Sequence, residues 1–379
     1  MIVEYLSTAM ALKPFLQSLG VDGGGVAILK DKGEYHRILI RDLPVGGANI
    51  LKQDALSIGA DLAVPKGTVI AATPKVDVLL LATTRQLKQL IDKEQKQPFG
   101  LSHLSHELGR FTHLSLPKSV EVMGIINANE DSFYPQSRFY GDAAMAKIET
   151  MIQEGATIID IGGVSSRPGS VGVSDEEELS RVKPIVDLVY HTKAYEKVRL
   201  SLDSYSPTVI AYALERGFSI VNDIRGLTDD RVASLCAAYH ATVVIMHAKG
   251  DPKTMQHNPK YESVVHEVEQ FFRERLEKAD RFGIRDIILD TGIGFGKRLE
   301  DNVALIRHQK HFSALGKPLL VGASRKSMID HLSPSTTHDR LGGTLAIHLK
   351  AIEEGASIVR VHDVKEHVQA IAVWKALRG

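Results

Sequence analysis

The sequence predicts an α/β protein, a (β/α)8 TIM barrel preceded by a small α/β domain, and three observations carry that expectation. From Val120 onward, eight short apolar runs alternate with helical patterns. The helix-to-strand joints repeat one local grammar. About 260 residues are left for the eight units, near the ~250 that such a barrel occupies. A doubly wound open sheet is the alternative that the same alternation allows.

The runs are Val120–Ala128, Thr157–Ile161, Val198–Asp203, Ser219–Asn222, Thr242–Met246, Asp286–Asp290, Pro318–Ala323 and Ser357–Val361. They are almost wholly apolar, which implies burial on both faces and therefore a parallel sheet. Glu154-Gly155-Ala156-Thr157-Ile158-Ile159-Asp160 is echoed by Glu354-Gly355-Ala356-Ser357-Ile358-Val359-Arg360. In each, a glycine suited to the left-handed C′ position ends a helix, and a polar residue closes the strand that follows. Gly217 to Asn222 and Gly283 to Asp290 repeat the pattern. Helix starts are marked by Ser174 with Glu177, a capping box, and by Ser206 with Pro207 at the first helical position.

Residues 1–115 form the separate small domain, with 116–379 as the barrel. Strand-like runs at Gly25–Lys30, His36–Ile40 and Val76–Ala82 accompany helical patterns near Asn49–Ile58 and Thr84–Glu94. Gly23-Gly24-Gly25 lacks the spacing of a phosphate loop and reads as a tight turn. No chemistry is legible there.

Composition narrows the function classes. Lys and Arg total 46 and Asp and Glu total 46, so no net field draws the chain to nucleic acid or to an anionic membrane. Cys236 is the only cysteine, which excludes an internal disulfide and fits a reducing, cytoplasmic setting; it reads as a buried small hydrophobe. Apolar runs such as Val78–Ala82 are far shorter than the ~18 residues of a membrane span.

In a barrel, residues that follow the strands face one shared pocket. Here they are Asn127 and Asp131, Ser166 and Arg167, Asp203, Asn222 and Asp223, Met246, Asp290, Ser324 to Lys326, and Arg360 with His362. Isolated acids so placed need donors. Facing carboxylates and a carboxamide suit a ligand edge rich in N–H groups, such as an aminopyrimidine. Arg167, Arg360 and an imidazolium at His362 suit phosphate oxygens, giving one anionic and one cationic wall. Gly292-Ile293-Gly294-Phe295-Gly296-Lys297 fails the P-loop spacing and reads as a loop that brings Phe295 and Lys297 to the pocket mouth. The pairs His308/His311 and His362/His367 read as solvated helix histidines, not as metal ligands.

The strings Met123-Gly124-Ile125-Ile126-Asn127, Asp131-Ser132-Phe133, Asp160-Ile161-Gly162-Gly163 and Ser166-Arg167-Pro168-Gly169 resemble dihydropteroate synthase. So do Met246-His247, Thr254-Met255-Gln256, Gly294-Phe295-Gly296-Lys297, Ser324-Arg325-Lys326 and Arg360-Val361-His362-Asp363-Val364, all in family order from Val120 to Leu377. The resemblance implies a pterin-binding barrel that joins para-aminobenzoate to 6-hydroxymethyl-7,8-dihydropterin diphosphate, releasing pyrophosphate, in a cytoplasmic homodimer. It implies that Asp203, Asn222, Asp290 and Lys326 hold the pterin, with Met246 against its ring. Asn127 would ligate Mg2+ on the diphosphate, and Arg167, Arg360 and His362 would hold the diphosphate oxygens. Ser166, Pro168, Phe295 and Ser327 would form the para-aminobenzoate pocket.

Two departures from the family stand out. The first loop reads Ala128-Asn129-Glu130 where the family has a Thr-Pro pair, and the leading 115 residues lie outside the common core. The altered first loop motivates a rival reading as a non-catalytic pterin-binding paralogue. A methyltetrahydrofolate-dependent methyltransferase shares the pterin pocket but handles no diphosphate.

Overall fold

The structure is a computed structural model that describes residues 3–4, 6, 11–114, 116–128, 137–164, 173–250, 255 and 258–378, with the backbone alone at 137–140. The chain divides into two compact units, one of Met1–Leu114 with Lys375–Gly379 and one of Ser115–Trp374.

In the first unit, β1 (Tyr35–Pro44), β2 (Asp61–Ala63) and β3 (Lys75–Thr83) form an antiparallel sheet in the order β1-β3-β2. Strand β3 alternates with period two. Val76, Val78, Leu80 and Ala82 are buried, and the residues between them are not. Helices Val45–Ser57 and Thr84–Glu94 cover that face with Leu51, Leu87 and Leu90. Thr83 and Gln86 close a reciprocal capping box at the second helix. The strand expected at Gly25–Lys30 is instead part of the helix Gly23–Gly33. Asp22 caps it by accepting from Gly25 N–H at 2.9 Å, so the three glycines form a first helical turn and not a tight turn.

The second unit is the barrel. Its strands are β4 (Glu121–Asn127), β5 (Ile158–Gly162), β6 (Arg199–Asp203), β7 (Ile220–Asp223), β8 (Thr242–Met246), β9 (Ile287–Asp290), β10 (Leu319–Val321) and β11 (Ile358–Val361). Among the described residues all eight pair in parallel, and β11 closes onto β4 with Ile358 opposite Glu121. Gly155 and Gly355 adopt φ of 103° and 104°, as the joint grammar requires of a helix-ending residue. Ser174 caps the helix Asp175–His191, and Ser206 caps Pro207–Leu214.

Two sets of strand side chains divide the core. Ile159, Leu200, Val221, Val243, Leu289, Val321 and Val359 point outward and pack with residues of the surrounding helices. Met123, Ile158, Ile220, Val244, Ile288, Leu320 and Ile358 form a separate apolar cluster inside the barrel. That inner layer fills the barrel and floors whatever lies above it. Cys236 is buried, as its surroundings predicted, and burial pushes its thiol up to about 12. No helix among the described residues is long and apolar enough to cross a membrane.

Candidate active site

Side chains along a strand alternate, so the residue two positions beyond each inner-layer residue also points inward, one layer nearer the C-terminal end. Stepping by two turns Ile158 into Asp160, Ile220 into Asn222, Val244 into Met246, Ile288 into Asp290, Leu320 into Gly322 and Ile358 into Arg360. The same alternation that builds the apolar floor thus places Asp160, Asn222, Asp290 and Arg360 in one layer directly above it.

Arg360 is the hub of that layer. Its Nε donates to Asp160 at 2.6 Å and its Nη2 to Asp203 at 2.7 Å. Asp160, with no exposed surface, also accepts from Ser201 Oγ at 2.6 Å and Asn222 Nδ2 at 3.1 Å. Burial pushes the Asp203 carboxyl up to about 7 against the pull of Arg360, and Asp160 and Glu178 add to the rise. Burial also raises Asp290, which accepts from Gly292 N–H at 2.8 Å and is drawn back by Lys326, Lys297 and Arg360. Asp203, Asp290 and Arg360 therefore share one electrostatic environment. The two walls expected from the sequence are not opposed, because Arg360 binds the acids directly. Asp223 lies apart, its carboxylate accepting from Arg225 and Leu227 N–H in the turn after β7.

A second cluster stands at the ends of β10 and β11. The Ser324 hydroxyl lies 2.9 Å from His362 Nδ1 and accepts from His362 N–H at 3.3 Å. Arg325 forks onto Asp363 at 3.0 and 2.5 Å. His362 is not the imidazolium that the sequence reading assumed. Burial, then Arg360 and Arg325, hold it down at about 4, so the ring is neutral near pH 7. Lys326 Nζ sits 4.1 Å over the Phe295 ring, and Phe295 packs with Met246 and Met255 as an apolar wall. Ser327 is exposed at the start of the short helix Ser327–Leu332.

Other sequence expectations change. Lys297 does not line the pocket mouth. It is buried, and its ammonium donates to the carbonyls of His247, Gly292 and Phe295 at 3.0, 2.9 and 2.9 Å. It therefore ties the loop after β9 to the end of β8. His367 is not a solvated histidine, being buried against His348 at 2.9 Å, and His311 Nε2 pairs with Glu269 at 2.8 Å. Asp160 was missed as a site residue, although its strand-end position in the repeated joint marked it. Ser166, Arg167, Pro168 and Asp131 lie outside the described residues.

Asn127 is half-buried at the end of β4, beside Gly162 of β5. A carboxamide oxygen is the hard donor that magnesium takes one or two at a time alongside phosphate oxygens, so the residue type fits. Among the described residues no three His, Cys, Asp or Glu side chains gather into a cage.

The barrel that carries this arrangement is similar in sequence and fold to known proteins. The profile of pterin binding enzymes matches residues 123–362. The bifunctional dihydropteroate synthase/dihydropteroate reductase of Helicobacter pylori is 40% identical over 377 residues, spanning 100% of this chain and 99% of that protein. Escherichia coli dihydropteroate synthase is 43% identical over 258 residues, 67% of this chain and 90% of its own. The solved Xanthomonas albilineans dihydropteroate synthase in complex with 7,8-dihydropteroate superposes with a TM-score of 0.61 at 34% identity, over 69% of this chain and 95% of that one. With a closed eight-stranded barrel and a sequence matched over residues 123–362, the chain belongs to the family of pterin binding enzymes.

Proposed function

We infer that this chain is a dihydropteroate synthase, joining para-aminobenzoate to 6-hydroxymethyl-7,8-dihydropterin diphosphate with release of pyrophosphate. One observation carries the reading. Three buried acids and a carboxamide surround one guanidinium, and a corner bearing Arg325, Lys326 and His362 adjoins them. Asp203, Asn222 and Asp290 accept the N–H edge of the pterin, while Met246 and Phe295 give its ring an apolar face. Nη1 of Arg360 makes no bond among the described residues and is left for the diphosphate. With the Ser324 hydroxyl donating to His362 Nδ1, 2.9 Å away, the neutral ring carries its proton on Nε2, ready to donate to an anion.

In the reaction the bond from the pterin methylene carbon to the diphosphate oxygen breaks, and the arylamine nitrogen supplies the new bond. Negative charge grows on the departing oxygens, where Arg360, Lys326 and His362 donate. The arylamine is neutral at pH 7, so it needs positioning more than deprotonation. Magnesium held by Asn127 would neutralise part of the diphosphate charge. The resemblance assigns Ser166, Pro168, Phe295 and Ser327 to the aminobenzoate pocket and Arg167 to the anion site. The same reading has the chain pair as a homodimer through barrel helices in the cytoplasm.

The decisive assay mixes both substrates with magnesium and follows pyrophosphate. Release that depends on para-aminobenzoate supports the synthase. Pterin binding without turnover points to the silent paralogue, and methyl transfer from methyltetrahydrofolate to the related transferase.

A second activity is favoured by one specific observation. The Helicobacter relative matches the whole chain, including residues 1–115, and its name adds a reductase. Reduction of 7,8-dihydropteroate puts a hydride on C6 and a proton on N5. Incubating the full chain with that product and a reduced nicotinamide or flavin tests it, since an unchanged pterin absorbance would end the reading.

A further inference from the structure

Behind the loop that follows β10 lies a polar chain that touches no ligand group. Thr344 and His348 stand one turn apart on the helix Leu341–Glu353, and both are buried. Thr344 Oγ1 accepts from Arg325 N–H at 3.0 Å and donates to the Arg340 carbonyl at 2.8 Å. His348 Nε2 accepts from Ala323 N–H at 3.0 Å. That bond fixes the tautomer, because a neutral ring that accepts at Nε2 carries its hydrogen on Nδ1. His348 Nδ1–H then donates to His367 Nε2 at 2.9 Å, which leaves His367 Nδ1–H to donate to the Asp363 carbonyl at 2.6 Å. Each of the four ring nitrogens is thereby used once.

The loop so held has reason to need it. Arg325 adopts φ of 56°, a left-handed conformation uncommon for a residue with a Cβ. Its guanidinium is gripped by Asp363, the residue whose carbonyl ends the relay. Leucines at 348 and 367 would fill the space and satisfy none of these groups.

We infer that His348 and His367 are positioning residues, a neutral relay that locks the loop Ala323–Lys326 to the end of β11 and so sets where Ser324, Lys326 and His362 meet the ligand. The inference rests on the reading that this corner holds the pterin diphosphate. The test uses the full chain and compares His348→Leu with His348→Gln, which keeps an acceptor for Ala323 and a donor for His367. Losing the buried acceptor should raise KM for the pterin diphosphate, and the calorimetric Kd of inorganic pyrophosphate with magnesium, about tenfold. KM for para-aminobenzoate should stay within about twofold, and His348→Gln should restore most of the loss. Adding His367→Leu to His348→Leu should cost little more, as residues acting in one unit are not additive. Unchanged pyrophosphate affinity in His348→Leu, or an equal rise in every constant, overturns the relay. If His348→Leu fails to fold, His367→Leu is held to the same split, with His367→Gln as its restoring variant. A wild-type chain that binds pyrophosphate but turns nothing over overturns the synthase reading alone, and the relay is then judged on pyrophosphate affinity.

Discussion

Arg360→Ala tests the central feature of the site, that one guanidinium holds two buried carboxylates. Asp160 would keep its bonds from Ser201 and Asn222, whereas Asp203 has no second hydrogen-bond donor among the described residues. Removing one partner of a buried pair costs about 3–5 kcal/mol when the remaining charge cannot escape. Asp203 can escape, because burial already holds it at about 7 and deleting the arginine pushes it further up. A carboxyl whose folded pKa lies above its unfolded value of 3.8 binds more protons folded than unfolded, so its contribution worsens as pH rises through that interval. The variant should therefore fall short of wild type by about 3 kcal/mol at pH 8 and by about 1–2 kcal/mol at pH 6. Urea unfolding at the two pH values measures this. Calorimetry should show pyrophosphate binding weakened about a hundredfold, for the loss of charge-assisted hydrogen bonds. Free 6-hydroxymethylpterin should weaken about tenfold, because Asp203 loses its anchor. A deficit that is the same at both pH values, with pterin affinity intact, would refute the joined network. Equal losses for both ligands would refute a role for Arg360 at the phosphates.

Two further outcomes follow from buried groups away from the ligand. Lys297→Met should cost about 2–4 kcal/mol, because three buried backbone carbonyls lose their donor; thermal unfolding checks it, and an unchanged Tm would mean that the loop after β9 is held by other contacts. His247 is buried edge-on to Phe271 at 5.0 Å, and burial, then Lys297, holds its ring at about 2. A histidine depressed in the folded state contributes full stability above its ordinary 6.5 and loses it as pH falls, because only the unfolded chain takes the proton. His247→Phe removes that liability, so between pH 6.5 and 4.5 it should lose about 2 kcal/mol less than wild type. Parallel stability curves for the two proteins would contradict the buried neutral ring.

What the sequence made legible is what depends on neighbours along the chain. A parallel barrel buries both faces of each strand, so its strands read as unbroken apolar runs, and all eight were found. Gly25–Lys30 misled because Val26 to Leu29 looks equally apolar in a strand or a helix, and Asp22 as a cap settles the matter from outside the run. Lys297 was misplaced because a lysine in a loop is ordinarily solvated; only folding brings the carbonyls of His247, Gly292 and Phe295 around its ammonium. The His348–His367 bond joins two helices and had no local signal at all. Asp160 meets Arg360 across 200 residues of chain, and only barrel closure makes them neighbours.

Yet Asp160 and Arg360 had the same address in the repeated joint, each five residues past the glycine that ends the preceding helix. That coincidence has a physical cause. Inward positions two apart are forced into successive layers, and the lower layer must be apolar to fill the barrel, so chemistry can enter only one step higher. The apolar floor then acts on that step. It strips water from one side of Asp160, Asp203 and Asp290, which is why burial leads the rise of the latter two and why a shared guanidinium is needed. A one-residue slip of β5 would turn Asp160 outward among Val182, Ile185 and Leu202, and put Ile159 or Ile161 beside Arg360. The register that makes the barrel and the register that makes the site are a single constraint, and a variant that loosens one should be found to loosen the other.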